Sequence, residues 1–204
     1  MLRSINIGRL ARWFPHGIME TRAPGQEVML TFDDGPQLHV LPELLDVLAS
    51  FNVKATFFCI GQRLEVNRDI ARRIIDEGHA LGNHSFLHKQ FFTLPVDRQW
   101  EEILRTEEII ASLNGNGKLF RPPQGRINAV LAAKLKRAGF RIIFWNVDSC
   151  DYLQDAQRVT SVFQSRTISP GDILLMHDDH DLCCEVLKYW LPRWLDQGLQ
   201  FGKF

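Results

Sequence analysis

The stretch EVMLTFDDGPQLHVLPELLDVLAS, residues 27–50, begins with an apolar run and continues into leucines at helical spacing. Val28, Met29, Leu30 and Phe32 leave neither face of EVMLTF (27–32) for water, so this segment reads as a strand covered on both sides. Asp34-Gly35-Pro36 turns the chain. Leu41, Leu44, Leu45 and Leu48 then recur with the 3.6-residue period of a helix that packs along one stripe. A strand covered on both faces followed by an amphipathic helix is the building unit of a parallel sheet with helices outside it.

The unit repeats along the chain. Further strands are expected at ATFFCIG (55–61), HALGNH (79–84), KLFRP (118–122), RIIFWNV (141–147), DILLMH (172–177) and LQFGKF (199–204). HALGNH is the weakest of them, because Ala80 and Gly82 are poor strand formers. Helical spacing recurs in Ile70, Ile74 and Ile75, then in Trp100, Ile103, Leu104, Ile110 and Leu113 after Pro95, then in Val130, Leu131 and Leu135. Gly78 and Gly139 fall where helices stop. The expectation is an α/β fold, a distorted and incomplete (β/α) barrel with about seven parallel strands. Periodicity leaves an open doubly wound sheet as the alternative. No repeat or linker divides 27–204, and residues 1–26 form an extension expected to pack on or near the barrel.

Lys and Arg number 24 and Asp and Glu number 24, so the chain is neutral at pH 7 and has no charge excess to attract nucleic acid. No apolar run approaches the roughly 20 residues of a membrane span. Arg3, Arg9 and Arg12 interrupt the apolar residues of MLRSINIGRLARWFPHG, which lacks the pattern of an export signal. The location expected from that pattern is cytoplasmic or peripheral to the inner face of the membrane, with weak peripheral membrane contact as an option. Cys59 lies in an apolar run, Cys150 in a loop, and Cys183 and Cys184 are adjacent, which suits a reducing compartment better than a disulfide framework.

Residues able to do chemistry follow the strands: Asp33 and Asp34, His84 and His88, Arg121 to Gly125, Asp148 and Asp151, and His177. In a parallel barrel these ends share one face, where active sites are built. HSFLH (84–88) places two imidazoles four apart, and on a helical turn both point the same way. With an aspartate they make a set suited to a catalytic divalent ion. Taken alone, such a pair is more often two surface histidines. Asp33 and Asp34 divide between ligand and free base in a manner that their spacing leaves open. By themselves Arg121-Pro122-Pro123 reads as a rigid turn, His177 as a buried strand-end histidine and His180 as part of a solvated acidic loop. His16, His39 and His79 read as structural or exposed. Tyr189, Trp190 and Trp194 have the spacing of helix packing, while Phe86, Phe91 and Phe92 offer rings for sugar stacking.

In order, TFDDGP (31–36), HSFLH (84–88), RPPQG (121–125), WNVDSCDY (145–152) and LLMH (174–177) resemble the five motifs of the polysaccharide deacetylase family, the NodB homology domain also called carbohydrate esterase family 4. The resemblance spans roughly Glu27 to Phe204 and implies a distorted (β/α) barrel catalytic domain. It implies that Asp33 is the general base and that Asp34, His84 and His88 hold the metal, with zinc expected and cobalt, nickel or manganese as alternatives. Arg121 would polarise Asp33, and Asp151 would pair with His177, the general acid. The backbone N–H of Gln124 would meet the oxyanion, and Leu175 and Tyr152 would line the pocket for the acetyl methyl. Gln124 stands where many relatives carry an aromatic, and Tyr152 where Trp is common. The implied activity is metal-dependent removal of N-acetyl groups from N-acetylglucosamine-type sugars in a polysaccharide, oligosaccharide or lipid-linked glycan. The same machinery would serve an O-acetyl esterase or an amidase on a non-sugar amide, and a non-catalytic glycan-binding protein is the third reading.

Overall fold

The computed structural model describes residues 19–115 and 117–204, so Arg3, Arg9, Arg12, His16 and most of the 1–26 extension lie outside the described residues. Its strands are β1 (Met19–Glu20), β2 (Glu27–Asp33), β3 (Thr56–Cys59), β4 (Ala80–Asn83), β5 (Leu119–Phe120), β6 (Arg141–Ile143), β7 (Val147–Asp148), β8 (Ile173–His177) and β9 (Gln200–Gly202). The helices are α1 (Leu41–Ser50), α2 (Gly61–Val66), α3 (Arg68–Asp76), α4 (Val96–Ser112), α5 (Ala129–Arg137), α6 (Ala156–Ser165) and α7 (Leu182–Asp196). All pairings are parallel, in the order β1-β6-β5-β4-β3-β2-β8-β7, with β9 beside the start of β2. This is the distorted, incomplete barrel expected from the strand–helix alternation.

Strand alternation sorts each side chain to the inside or the outside. On β2, Val28, Leu30 and Phe32 point out and join Leu41, Leu44, Leu45 and Leu48 of α1 and Leu187, Trp190, Leu191 and Trp194 of α7 in the main core. Burying each such side chain contributes about 1.5–3 kcal/mol. Trp190 and Trp194 therefore serve packing, as their spacing indicates, and stack on each other with centroids 5.6 Å apart. Met29 points inward with Phe58, Leu119, Ile143 and Ile173, one from each of five strands, forming an apolar layer inside the ring. Gly82 lets β4 pass that layer, since a Cβ there would fall 2.4 Å from the Phe58 ring. Thr31 and Asp33 continue the inward row of β2 above the layer, so alternation carries an apolar interior up to a polar rim.

Two expectations change. RIIFWNV (141–147) is two strands, because β6 pairs β5 while β7 pairs β8 at the opposite end of the sheet. Residues 144–146 cross between the two ends, and the chain itself closes the ring there. A continuous apolar run carries no mark of where its partner changes. The short β1, which was not anticipated, pairs with β6, and Phe144 N–H donates to Glu20 O at 2.7 Å. Asn128 and Asp155 cap α5 and α6 with their side chains. Gly78 and Gly139 take the left-handed conformation, with φ of 83° and 82°, that ends α3 and α5. Among the described residues no helix is long and apolar enough to cross a membrane.

Candidate active site

The residues singled out after the strands converge at the rim that the strand ends define. Asp33 ends β2 with its side chain inward. Asp34 adopts φ 78°, a left-handed conformation unusual for a residue with a side chain, and this kink presents it to the same space. Gly35 permits the kink, because a Cβ there would lie 1.9 Å from Asp178 Oδ2.

His84 and His88 arrive differently from the expectation. Residues 84–88 form no helical turn, since Ser85 and His88 both have φ of 64°. Local hydrogen bonds fold the loop instead. Asn83 Oδ1 accepts from Ser85 N–H at 3.0 Å, and Ser85 Oγ accepts from His88 N–H at 3.0 Å. Glu102 of α4 accepts from the amides of Phe86 and Leu87 at 3.2 and 3.1 Å. The two imidazoles still meet, with ring centroids 5.0 Å apart.

His84 Nδ1–H donates to Arg121 O at 2.7 Å, which leaves Nε2 as a bare lone pair. Burial holds His84 neutral by pushing its pKa down to about 3. Asp34 Oδ1 lies 3.6 Å from His84 Nε2 and 3.4 Å from His88 Nε2. It is buried without a hydrogen-bond partner, an arrangement that a protein rarely leaves unfilled. Ligand atoms of Asp34, His84 and His88 all fall within 4.8 Å of one another. Two imidazoles and one unpartnered carboxylate oxygen suit a divalent ion of the zinc class and leave positions open for water and substrate.

Beside this cluster, Asp33 Oδ1 accepts from Arg121 Nη1 at 2.7 Å. Arg121 is wholly buried, and every part of its fork is engaged. It donates to Thr31 Oγ1 at 2.8 Å, to Phe144 O at 3.0 Å and to Ile143 O at 3.4 Å, and its guanidinium lies 4.2 Å from the Phe58 ring centroid. Burial raises the Asp33 carboxyl above its ordinary value, and the Arg121 charge opposes that rise. Asp33 Oδ2 lies 3.7 Å from His84 Nε2, so the carboxylate touches the edge of the cluster without belonging to it.

On the adjacent strand β8, His177 Nδ1–H donates to Asp151 Oδ1 at 2.7 Å, and its backbone N–H to Asp151 Oδ2 at 2.8 Å. Burial alone would lower the His177 pKa. The Asp151 hydrogen bond and charge, joined by the charges of Asp33 and Asp34, outweigh burial and push it up to about 10. Tyr152, half exposed, sets its ring edgewise to His177 with centroids 5.7 Å apart. Leu175 points inward from β8, in register with Thr31 and Asp148. Gln124 sits exposed in the rim loop after β5 with φ 56°. Asp148 Oδ1 accepts from Cys150 N–H at 2.9 Å and turns the chain toward Asp151.

The remaining candidates sort by burial. Phe86 and Phe91 are buried, so only Phe92 offers an exposed ring, and Arg126 lies over it at 4.1 Å. His79 is buried and accepts from Ala55 N–H at 3.1 Å, a structural role. His180 is more enclosed than a solvated loop would make it, since both ring nitrogens are buried without partners. Sequence reasoning passed over Thr31, Ser85, Asn83, Glu102 and Arg63. Thr31 alone carried a signal, standing two residues before Asp33 on the same face of a strand.

A sequence profile for polysaccharide deacetylases matches residues 20–143. A peptidoglycan-N-acetylglucosamine deacetylase of Bacillus cereus is 40% identical over 156 residues, which cover 74% of this chain and 55% of that enzyme. The chain spans about half the length of several curated relatives it matches. A crystal structure of a peptidoglycan N-acetylglucosamine deacetylase in complex with 4-naphthalen-1-yl-N-oxidanyl-benzamide superposes with a TM-score of 0.86 at 32% identity, covering 94% of this chain and 95% of that one. A family 4 carbohydrate esterase pseudoenzyme from Bacillus anthracis superposes with a TM-score of 0.83 at 27% identity, covering 91% and 67%.

Proposed function

The chain belongs to the polysaccharide deacetylase family, and on that footing we propose that it is a metal-dependent hydrolase that removes N-acetyl groups from N-acetylglucosamine-type units of a glycan. Peptidoglycan is the first substrate to test, because the related enzymes are named for it. Fold likeness extends to a pseudoenzyme, so the fold does not carry the proposal. The carrying observation is that a carboxylate held by Arg121, Asp33, and an imidazole held by Asp151, His177, stand on adjacent strands near three residues whose possible ligand atoms cluster.

Asp34, His84 and His88 would hold the ion, zinc first, with cobalt, nickel or manganese as alternatives. A divalent ion there supplies Lewis-acid activation of water and of the acyl group. The chain supplies the proton transfers. Asp33, oriented by Arg121, accepts a proton from the attacking water. Its raised pKa makes it a stronger base than an ordinary carboxylate. The Gln124 N–H stabilises the charge that develops on the acyl oxygen, an interaction worth roughly 3–4 kcal/mol. The C–N bond breaks only when nitrogen takes up a proton, and His177, kept charged by Asp151, donates it. Leu175 and Tyr152 bound the space for the acetyl methyl. The products are acetate and a free amine.

Acetate release from peptidoglycan fragments, chitin oligomers and acetylated xylan tests this reading and separates amide from ester substrates. Activity on the first two is expected to vanish on chelation and to return with zinc. Full activity in metal-stripped protein, or in Asp33→Asn, would overturn it.

A further inference from the structure

Four successive carbonyls of the elbow after β2 are each taken by a different group. Asp33 O accepts from Asp178 N–H at 3.2 Å and Gly35 O from Ile60 N–H at 3.0 Å. Pro36 O accepts from Asn67 Nδ2 at 3.2 Å. Asp34 O accepts from Nη1 of Arg63, a half-buried side chain on α2. The Gln37 amide, turned to accept, takes Nη1 and Nη2 of the same guanidinium at 3.2 Å each. The centre of this arrangement is Asp34, whose φ of 78° is the left-handed conformation that surroundings must hold in place. Of the four donors, Arg63 is the one that bonds the Asp34 carbonyl, while Asp178 N–H holds the peptide before it.

The charges point the same way. Behind the elbow lies Asp178, fully buried with both carboxylate oxygens unpartnered, and Asp34 and Asp179 add negative charge beside it. Arg121 neutralises Asp33 from inside the barrel. Burial, with the charges of Asp34 and Asp179, pushes the Asp178 carboxyl well above its ordinary value, and the nearby Arg63 charge opposes that rise.

We infer that Arg63 is a positioning residue for Asp34: its guanidinium grips the Asp34 carbonyl and the Gln37 amide, and so fixes the left-handed turn that aims Asp34 Oδ1 at His84 and His88. The inference rests on the proposed metal site and adds a residue that none of the five motifs contains. Its chemistry suits the task. A planar fork contacts two acceptors at once and holds them at a fixed spacing, which a single ammonium does not do.

Cobalt titration of the full chain, followed by d–d absorption and by competition with a chelator, tests it. In Arg63→Met the melting temperature is expected to stay close to that of the wild type. Cobalt is expected to bind about 10-fold or more weakly, the loss typical of residues that support a ligand, with an altered absorption spectrum. Arg63→Lys is expected to fall between the two, because one donor to Asp34 O is restored. Wild-type affinity and spectrum in Arg63→Met would overturn the inference, as would Arg63→Lys binding no better than Arg63→Met. If Arg63→Met does not fold, Arg63→Gln, which is too short to reach both acceptors, is read by the same criterion of affinity and spectrum. Failure of the wild-type chain to bind cobalt sinks the metal reading itself, a different outcome from normal binding in the variant.

Discussion

Asp33 and His177 are register partners on the adjacent parallel strands β2 and β8. Partners in a parallel pair point to the same face, so one backbone register sets both the carboxylate and the imidazole above the apolar interior. Their separation is fixed by sheet hydrogen bonding, whereas Asp34, His84 and His88 are placed by loops. The groups proposed to transfer protons therefore stand on strands of the sheet, and the groups proposed to bind the ion depend on turns that other side chains must hold.

Replacing the proposed base, Asp33, separates the two proposed functions. Asp33→Asn is expected to lower kcat/KM for acetate release by about 10²–10⁴-fold, the usual contribution of a positioned base, while cobalt still binds. Stability should also fall, because Arg121 is wholly buried and loses its charge partner. Acetate assays, cobalt titration and thermal melting on one preparation give all three results. A variant without cobalt binding would place Asp33 among the ligands.

The alkaline side of the pH profile reports on Asp151. The folded pKa of His177 is raised to about 10 from an ordinary 6.5, so its acid form persists through neutral pH and is lost as pH rises through that value. Its contribution to stability follows the same sign, complete below 6.5 and lost toward 10. Asp151→Asn removes the main cause of the rise and exposes the imidazole to the lowering effect of burial. The alkaline limb of kcat is therefore expected to move to lower pH. An unmoved limb would exclude His177 as the group that titrates there.

Ion binding should depend unequally on the two imidazoles. His84→Ala removes a ligand and also leaves the Arg121 carbonyl without its donor. His88→Ala removes a ligand from a more accessible position. Both are expected to weaken zinc by more than the roughly 10–100-fold typical of residues that only support a ligand. Only His84→Ala should also lower the melting temperature of the metal-free protein. Chelator-competition affinities and melting curves distinguish the two.

Acid stability has a separate origin in His79. Burial lowers its pKa to about 4, and Nδ1 accepts the Ala55 amide. A depressed histidine favours the folded state above 6.5 and loses that contribution as pH falls toward 4, by at most about 1.4 kcal/mol per pH unit. Asn offers a comparable acceptor and does not titrate. His79→Asn should therefore flatten the fall in melting temperature across that window, and an unchanged slope would contradict the assignment.

Gly35→Ala tests the close approach behind the elbow. The added Cβ would meet the Asp178 carboxylate at 1.9 Å, and overpacking of this kind costs about 1–3 kcal/mol. Lower stability with weaker cobalt binding is expected, and Asp178→Ala in the same chain should restore both in part.

Much of this was legible in the chain before folding, for identifiable reasons. Apolar runs such as EVMLTF and DILLMH announce strands because a sheet covered on both faces tolerates few polar residues. Asp33, Arg121 and His177 fall at strand ends, so the parallel alternation that reveals the barrel also gathers them. The loop at 84–88 departs from a helical turn because i, i+4 spacing is shared by geometries that differ in the sign of φ, and nothing in the type of Ser85 signals the positive φ it adopts. The partner change inside 141–147 was hidden because an apolar run does not record which neighbour it pairs with.

Residue order alone determined the alternation of strand and helix and the set of groups able to do chemistry, since each depends on the period of its own element and on side-chain type. Tertiary structure decided which of those groups touch. It set Asp33 beside His177 through register, locked His84 onto the Arg121 carbonyl, and brought Arg63 to the peptide of Asp34. Each is a contact between elements far apart in the chain, set by how they pack, and local spacing carries no record of that distance.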